Sequence, residues 1–180
     1  DALSHWAEPS LLDRVDGRYR GPQKRDLELL KDHLKPMMAR MDIENEIKVK
    51  VALICMFAEV GEDSASQKIL ELLHNNKDAQ VRATALLALG HLNYKQLDQV
   101  VIRGMTDKSS IVRTEAIGLL AQVTLDKERF DVTMKSVLEE GSISEQQKLL
   151  KVLGQLDTLV TQGLIEKLIL NMHNNNLDPS

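Results

Sequence analysis

From Asp78 to Leu92 the apolar residues stand at Val81, Ala85, Leu86, Leu89 and Leu92, at spacings of four, one, three and three. That rhythm draws one stripe along a 3.6-residue helix and does not fit the alternation of a half-buried strand. The pattern recurs. Twelve-residue windows beginning at Val49, Val81, Val112 and Glu145 superpose, so the period is 32, 31 and then 33 residues. Repetition at such a period predicts stacked helical units, none of which buries its apolar face alone.

Aligned, the windows share columns expected to be buried. These are Val49, Val81 and Val112, broken by Glu145; Leu53, Ala85, Ala116 and Leu149; Ile54, Leu86, Ile117 and Leu150; Phe57, Leu89, Leu120 and Leu153; and Val60, Leu92, Val123 and Leu156. A column of small residues, Ala58, Gly90, Ala121 and Gly154, is expected where helices cross closely, because bulk there would overpack the contact. A basic column holds Lys50, Arg82 and Arg113, with Gln146 in the last window.

Between these second helices the sequence predicts partner helices over 64–74, 97–105, 128–140 and 157–172. Their neighbourhood carries start signals: Ser64-x-x-Gln67, the capping box Ser142-x-x-Glu145 for the last second helix, and Asp157. The links Asn75-Asn76-Lys77-Asp78 and Asp107-Lys108-Ser109-Ser110 are short and turn-rich, as antiparallel helix pairs require. A further helix is expected from Lys24 to Met41, with Leu27, Leu30, Leu34, Met37 and Met41 on one face and a kink or break at Pro36. Residues 1–23 differ from the rest, with Pro9, Gly17, Gly21-Pro22, Trp6 and a cluster of arginines diluted by aspartates. We read them as an extension with a short amphipathic piece at 9–15, packing on the first repeat through Trp6, Leu11 and Leu12. Residues 24–173 then form the repeat domain and 174–180 a polar tail.

Composition narrows the choice. Hydrophobic residues make up 43% and aromatics only 3%, so the core is built from aliphatic side chains and methionine, which favours helices. A net charge of −4 and a pI near 5.8 argue against a strongly basic nucleic-acid-binding surface. The only cysteine, Cys55, lies inside an apolar run and reads as a buried, inert thiol. No apolar run approaches the roughly 18 residues of a membrane span. The chain begins at Asp1 rather than Met, which suits a processed chain or a segment of a longer, membrane-attached one.

The runs Asp78-x-x-Val81-Arg82-x-x-Ala85-Leu86-x-x-Leu89-Gly90 and Asp107-x-x-x-x-Val112-Arg113-x-x-Ala116-Ile117-x-x-Leu120 resemble the HEAT repeat, in its short bilin-lyase-type form. The likeness covers about Lys24 to Met172 and is weakest in the last unit. It implies an all-α fold, a right-handed α-α superhelix of about four helix pairs plus a terminal helix, whose second helices line a concave surface. It also implies an inter-repeat ladder of Asp78 or Asp107 with Arg82 and Arg113. The competing reading of the arginines is that Lys50, Arg82 and Arg113 face an anionic ligand in the groove.

If the second helices line the groove, a partner meets Thr84, Leu87, His91, Glu115, Gln122, Lys148, Lys151 and Gln155, beside Ala52, Cys55, Gly118 and Glu59. This mixed polar surface suits a peptide or protein better than a phosphate backbone. No catalytic constellation emerges. The five histidines are unpaired at helical spacing, none is followed by Glu as in the metal-hydroxylase branch of the family, and there is no glycine-rich phosphate loop. The expectation is therefore a non-catalytic protein-interaction scaffold without metal or cofactor. The alternatives are a regulatory or docking domain of a larger, membrane-attached protein, and a HEAT-fold enzyme such as a bilin lyase or DNA glycosylase.

Overall fold

The structure, a computed structural model, describes residues 11–12, 15–19, 21, 28–125, 127–155 and 166. Among them the chain is all-helical: α1 Glu28–Ile43, α2 Ile47–Val60, α3 Ser66–Asn75, α4 Ala79–His91, α5 Leu97–Gly104, α6 Ser110–Gly118, α7 Lys127–Glu140 and α8 Ile143–Leu153, with 3-10 turns at Asp63–Ala65 and Leu119–Gln122. Successive helix pairs joined by short links are the arrangement of an α solenoid. Trp6, Leu27, Leu156, the tail and, but for Glu166, the expected helix 157–172 lie outside the described residues. The chain divides into two compact units, Asp1–Ala116 and Ile117–Ser180.

In the first unit α4 is the central element, packed against α2, α3 and α5. Its burial goes beyond the expected stripe, because Ala83 and Ala88 are also buried and only Gln80 and His91 are fully exposed along its length. Alanines at those positions let neighbouring helices close on both sides of it. The core around it comprises Ile54 and Phe57 of α2, Ile69 and Leu73 of α3, and Val100 and Val101 of α5. Gly61 closes α2 with φ of 70°, its N–H donating to the Ala58 carbonyl while Glu62 N–H reaches the Phe57 carbonyl. Glycine adopts that left-handed conformation without the Cβ penalty other residues meet. At the end of α1, Glu44 accepts from Glu46 N–H and from Arg40, which hold its carboxyl below the ordinary value in that order.

In the second unit α7 packs on α8. Glu145, which breaks the valine column, is nonetheless only 2% exposed. Its carboxylate accepts from Ser142 N–H at 2.7 Å and Ser142 Oγ at 2.5 Å, while Ser142 Oγ accepts from Glu145 N–H at 3.4 Å. The capping box therefore buries a carboxylate at a core position by hydrogen-bonding it.

Several expectations are corrected. The helix runs through Pro36, whose side chain is exposed, so of the expected kink or break the break does not occur. Val49 and Leu150 are exposed rather than buried. The third start is set by Glu62, whose side chain accepts from Ser64 N–H, and not by a Ser64–Gln67 box. An isolated antiparallel bridge pairs Leu12 with Tyr19, and Leu11 and Leu12 are exposed rather than anchoring; most of the amphipathic piece at 9–15 lies outside the described residues. The small column is uneven: Gly90 is buried and Ala58 half-buried, whereas the other two members are not enclosed. Ala121 and Gly154 are exposed, and a Cβ on Gly154 would meet nothing nearer than carbonyl oxygens at 3.6 Å. A close approach outside that column is at Gly104 of α5, where a Cβ would stand 3.0 Å from both Ala116 Cβ and Leu86 Cδ2.

Candidate functional site

The polar residues of α4 fall into two groups. Asp78 is its N-cap: Oδ1 accepts from Gln80 N–H at 2.8 Å and Val81 N–H at 3.2 Å, satisfying two donors that a helix start leaves open. Arg82, one turn on, is 4% exposed. Its Nε and Nη2 donate to Asp107 Oδ2 and Oδ1 at 2.9 and 2.8 Å, and Nη1 donates to the carbonyls of Asn76 and Lys77 at 3.0 and 2.9 Å. One side chain thus joins the α3–α4 link, α4 and the α5–α6 link. The planar fork of arginine matches both carboxylate oxygens at once, which lysine cannot do.

Asp107 is held from further sides. Its Oδ1 also accepts from Ser109 N–H at 2.8 Å, and its backbone carbonyl accepts from Arg113 Nη1 at 2.8 Å. The Arg82 guanidinium holds the Asp107 carboxyl below the usual carboxylate range against the opposing effect of burial, with Ser109 N–H helping. The sign of the linkage follows. With the folded value below the ordinary 3.8, the stabilisation is fully present above that pH and is lost as pH falls through the folded value. Urea unfolding of the native chain and of Asp107→Asn between about pH 6 and about pH 2 will show their difference shrinking on the acid side.

The residues assigned to a partner face are placed as follows. Thr84 and Leu87 are half-buried and His91 is exposed; with spacings of three and four they share one face of α4. On α2 the equivalent positions, Ala52, Cys55 and Glu59, are all exposed. Glu115 of α6 is half-buried in the same unit. In the second unit Lys148 is half-buried, and Gln122, Lys151 and Gln155 are exposed. Cys55 is thereby corrected from a buried to an exposed thiol. The run Val51 to Ala58 is apolar throughout, so periodicity alone does not say which side faces out. Neighbouring helix surface, and then Glu59, push its thiol above the ordinary value. Because the thiolate is the reactive form, maleimide labelling at neutral pH is expected to be slower than for a free cysteine and to accelerate about tenfold per pH unit below the thiol pKa, read by mass spectrometry.

Among the described residues no three His, Cys, Asp or Glu side chains converge as a metal site, and no helix is long and apolar enough to cross a membrane. His5 and His173 lie outside them. The sequence reading missed two contributors, the carbonyls of Asn76 and Lys77, because backbone acceptors leave no residue-type signal. Residues 66–145, from the first residue of α3 into α8, match the family model described as HEAT repeats. No curated protein matches the chain.

Proposed function

With residues 66–145 belonging to the HEAT-repeat family, we propose that the chain is a non-catalytic scaffold that binds a peptide or protein through the outward face of its second helices. HEAT repeats commonly serve as protein-interaction scaffolds. The observation that carries the reading is the division within α4: Asp78 and Arg82 are consumed by the fold, while Thr84, Leu87 and His91 are not. Together with Ala52, Cys55 and Glu59 on α2, which packs on α4, they give the first unit a set of accessible apolar and polar positions. That composition suits a partner helix or extended peptide. Glu115 extends the assignment along the first unit. Gln122, Lys148, Lys151 and Gln155 are the corresponding contact residues of the second.

The repeat architecture supplies the geometry such binding needs. Hydrogen-bonded links and a buried central helix fix the backbone under the contact residues, so little ordering cost falls on association. Photocrosslinking from position 91 tests the reading. Capture is expected to be lost when Cys55 is alkylated with a bulky maleimide before irradiation, with the scaffold's unfolding unchanged. Capture that is indifferent to Cys55 alkylation contradicts this use of the face.

A further inference from the structure

The α3–α4 and α5–α6 links of the first unit flank a cleft of about 370 Å³. Its lining carries His74, Lys77, Arg82, Arg103 and Lys108, and Asp107 is the one carboxylate among the lining residues. Asp107 is already committed to Arg82 and Ser109, so that pair leaves no charge in the cleft. Lys77, Arg103 and Lys108 are exposed and, among the described residues, none of them makes an ion pair. Arg103 acts on His74, whose imidazole is held below its ordinary value by burial first and by that cation second. The ends of α3 and α5 contribute some negative character. Yet the carbonyls of Leu72, Val101, Arg103 and Gly104 are all taken by backbone N–H groups. Three exposed cations, Lys77 and Lys108 from the two links and Arg103 from the last turn of α5, thus line a space large enough for a tetrahedral oxyanion and the group bearing it.

We propose that this cleft binds a phosphate monoester, with Arg103 supplying a two-pronged hydrogen-bonding fork and Lys77 and Lys108 supplying point charges. A dianion fits three cations better than a single carboxylate does. The site is separate from the α4 face argued above and does not depend on it. Arg82 forms the floor as a structural residue: its guanidinium donors are directed at Asp107 and the Asn76 and Lys77 carbonyls.

The test is an amide NMR titration of the full chain with inorganic phosphate and with O-phosphoserine, against sodium chloride at matched ionic strength. Saturable shifts confined to residues 74–77 and 103–108 are expected. Arg103→Gln and Lys108→Gln, both at exposed positions, are each expected to weaken binding by about tenfold or more, the weight of one charged hydrogen bond. Phosphoserine binding as tightly as phosphate assigns the site to a group carried on a larger ligand; a preference for inorganic phosphate assigns it to the free anion. Equal shifts with chloride, or a wild-type dissociation constant in both variants, overturn the proposal and leave the cations as helix-end charges.

Discussion

Arg82→Met lowers the stability of the folded chain by about 3 kcal/mol, the lower end of the cost of breaking a buried ion pair from one side. The methionine replaces the aliphatic stem, so the loss isolates the guanidinium. What remains is the Asp107 carboxylate, 17% exposed as a side chain, and the Asn76 and Lys77 carbonyls, each stripped of a donor. The lower end applies because water reaches Asp107 through its exposed fraction. Arg82→Lys recovers only part of the loss, since an ammonium does not bridge both oxygens and two carbonyls from one planar group. Asp107→Asn keeps an acceptor for Ser109 N–H, and the double variant Arg82→Met, Asp107→Asn is expected to be less destabilised than the two single losses added together. That non-additivity is the mark of a direct pair. Urea unfolding of the four proteins reads it, and strict additivity would show that Arg82 acts through its packing alone.

Gly104→Val is the second large effect, a loss of about 2–3 kcal/mol from overpacking. A Cβ at this position already meets Ala116 Cβ and Leu86 Cδ2 at 3.0 Å, and valine adds two methyl groups beyond it. Gly104→Ala separates the two opposing terms. Alanine gains about 0.5–1 kcal/mol in helix propensity over glycine, while its methyl needs Leu86 and Ala116 to give by a few tenths of an ångström. The expected net result is a small loss, recovered in part by Ala116→Gly, which opens one of the two contacts. Thermal unfolding checks the order wild type, Gly104→Ala, Gly104→Val. A stabilised Gly104→Val would contradict the close approach of α5 to α4 and α6.

The repeat architecture was legible because it rests on recurrence: Val81, Val112, Ala85, Ala116, Leu89 and Leu120 recur at corresponding positions and are all buried. The residue types of the clamp were legible too, but its partner was not. Asp78 and Asp107 look alike in sequence, and only the fold shows that the first caps its own helix while the second, 25 residues from Arg82, receives the guanidinium. Gly104 is not legible from the repeat columns because they belong to second helices, whereas this tight contact comes from a first helix crossing them. Glu145 reads as a break in a core column; its burial depends on Ser142, three residues earlier, whose capping signal marks a helix start and says nothing of depth. The cations at 77, 103 and 108 belong to two links and the end of α5, which only folding brings together.

The central claim is that α4 holds the fold with one set of residues and a partner with another. Isothermal titration of the protein captured from position 91 against wild type and Leu87→Asp tests it most directly. The account predicts at least a tenfold loss of affinity, about the 1.4 kcal/mol or more typical of a contact at the centre of an interface, with unfolding of the variant close to wild type. Unchanged affinity in a folded Leu87→Asp would contradict it.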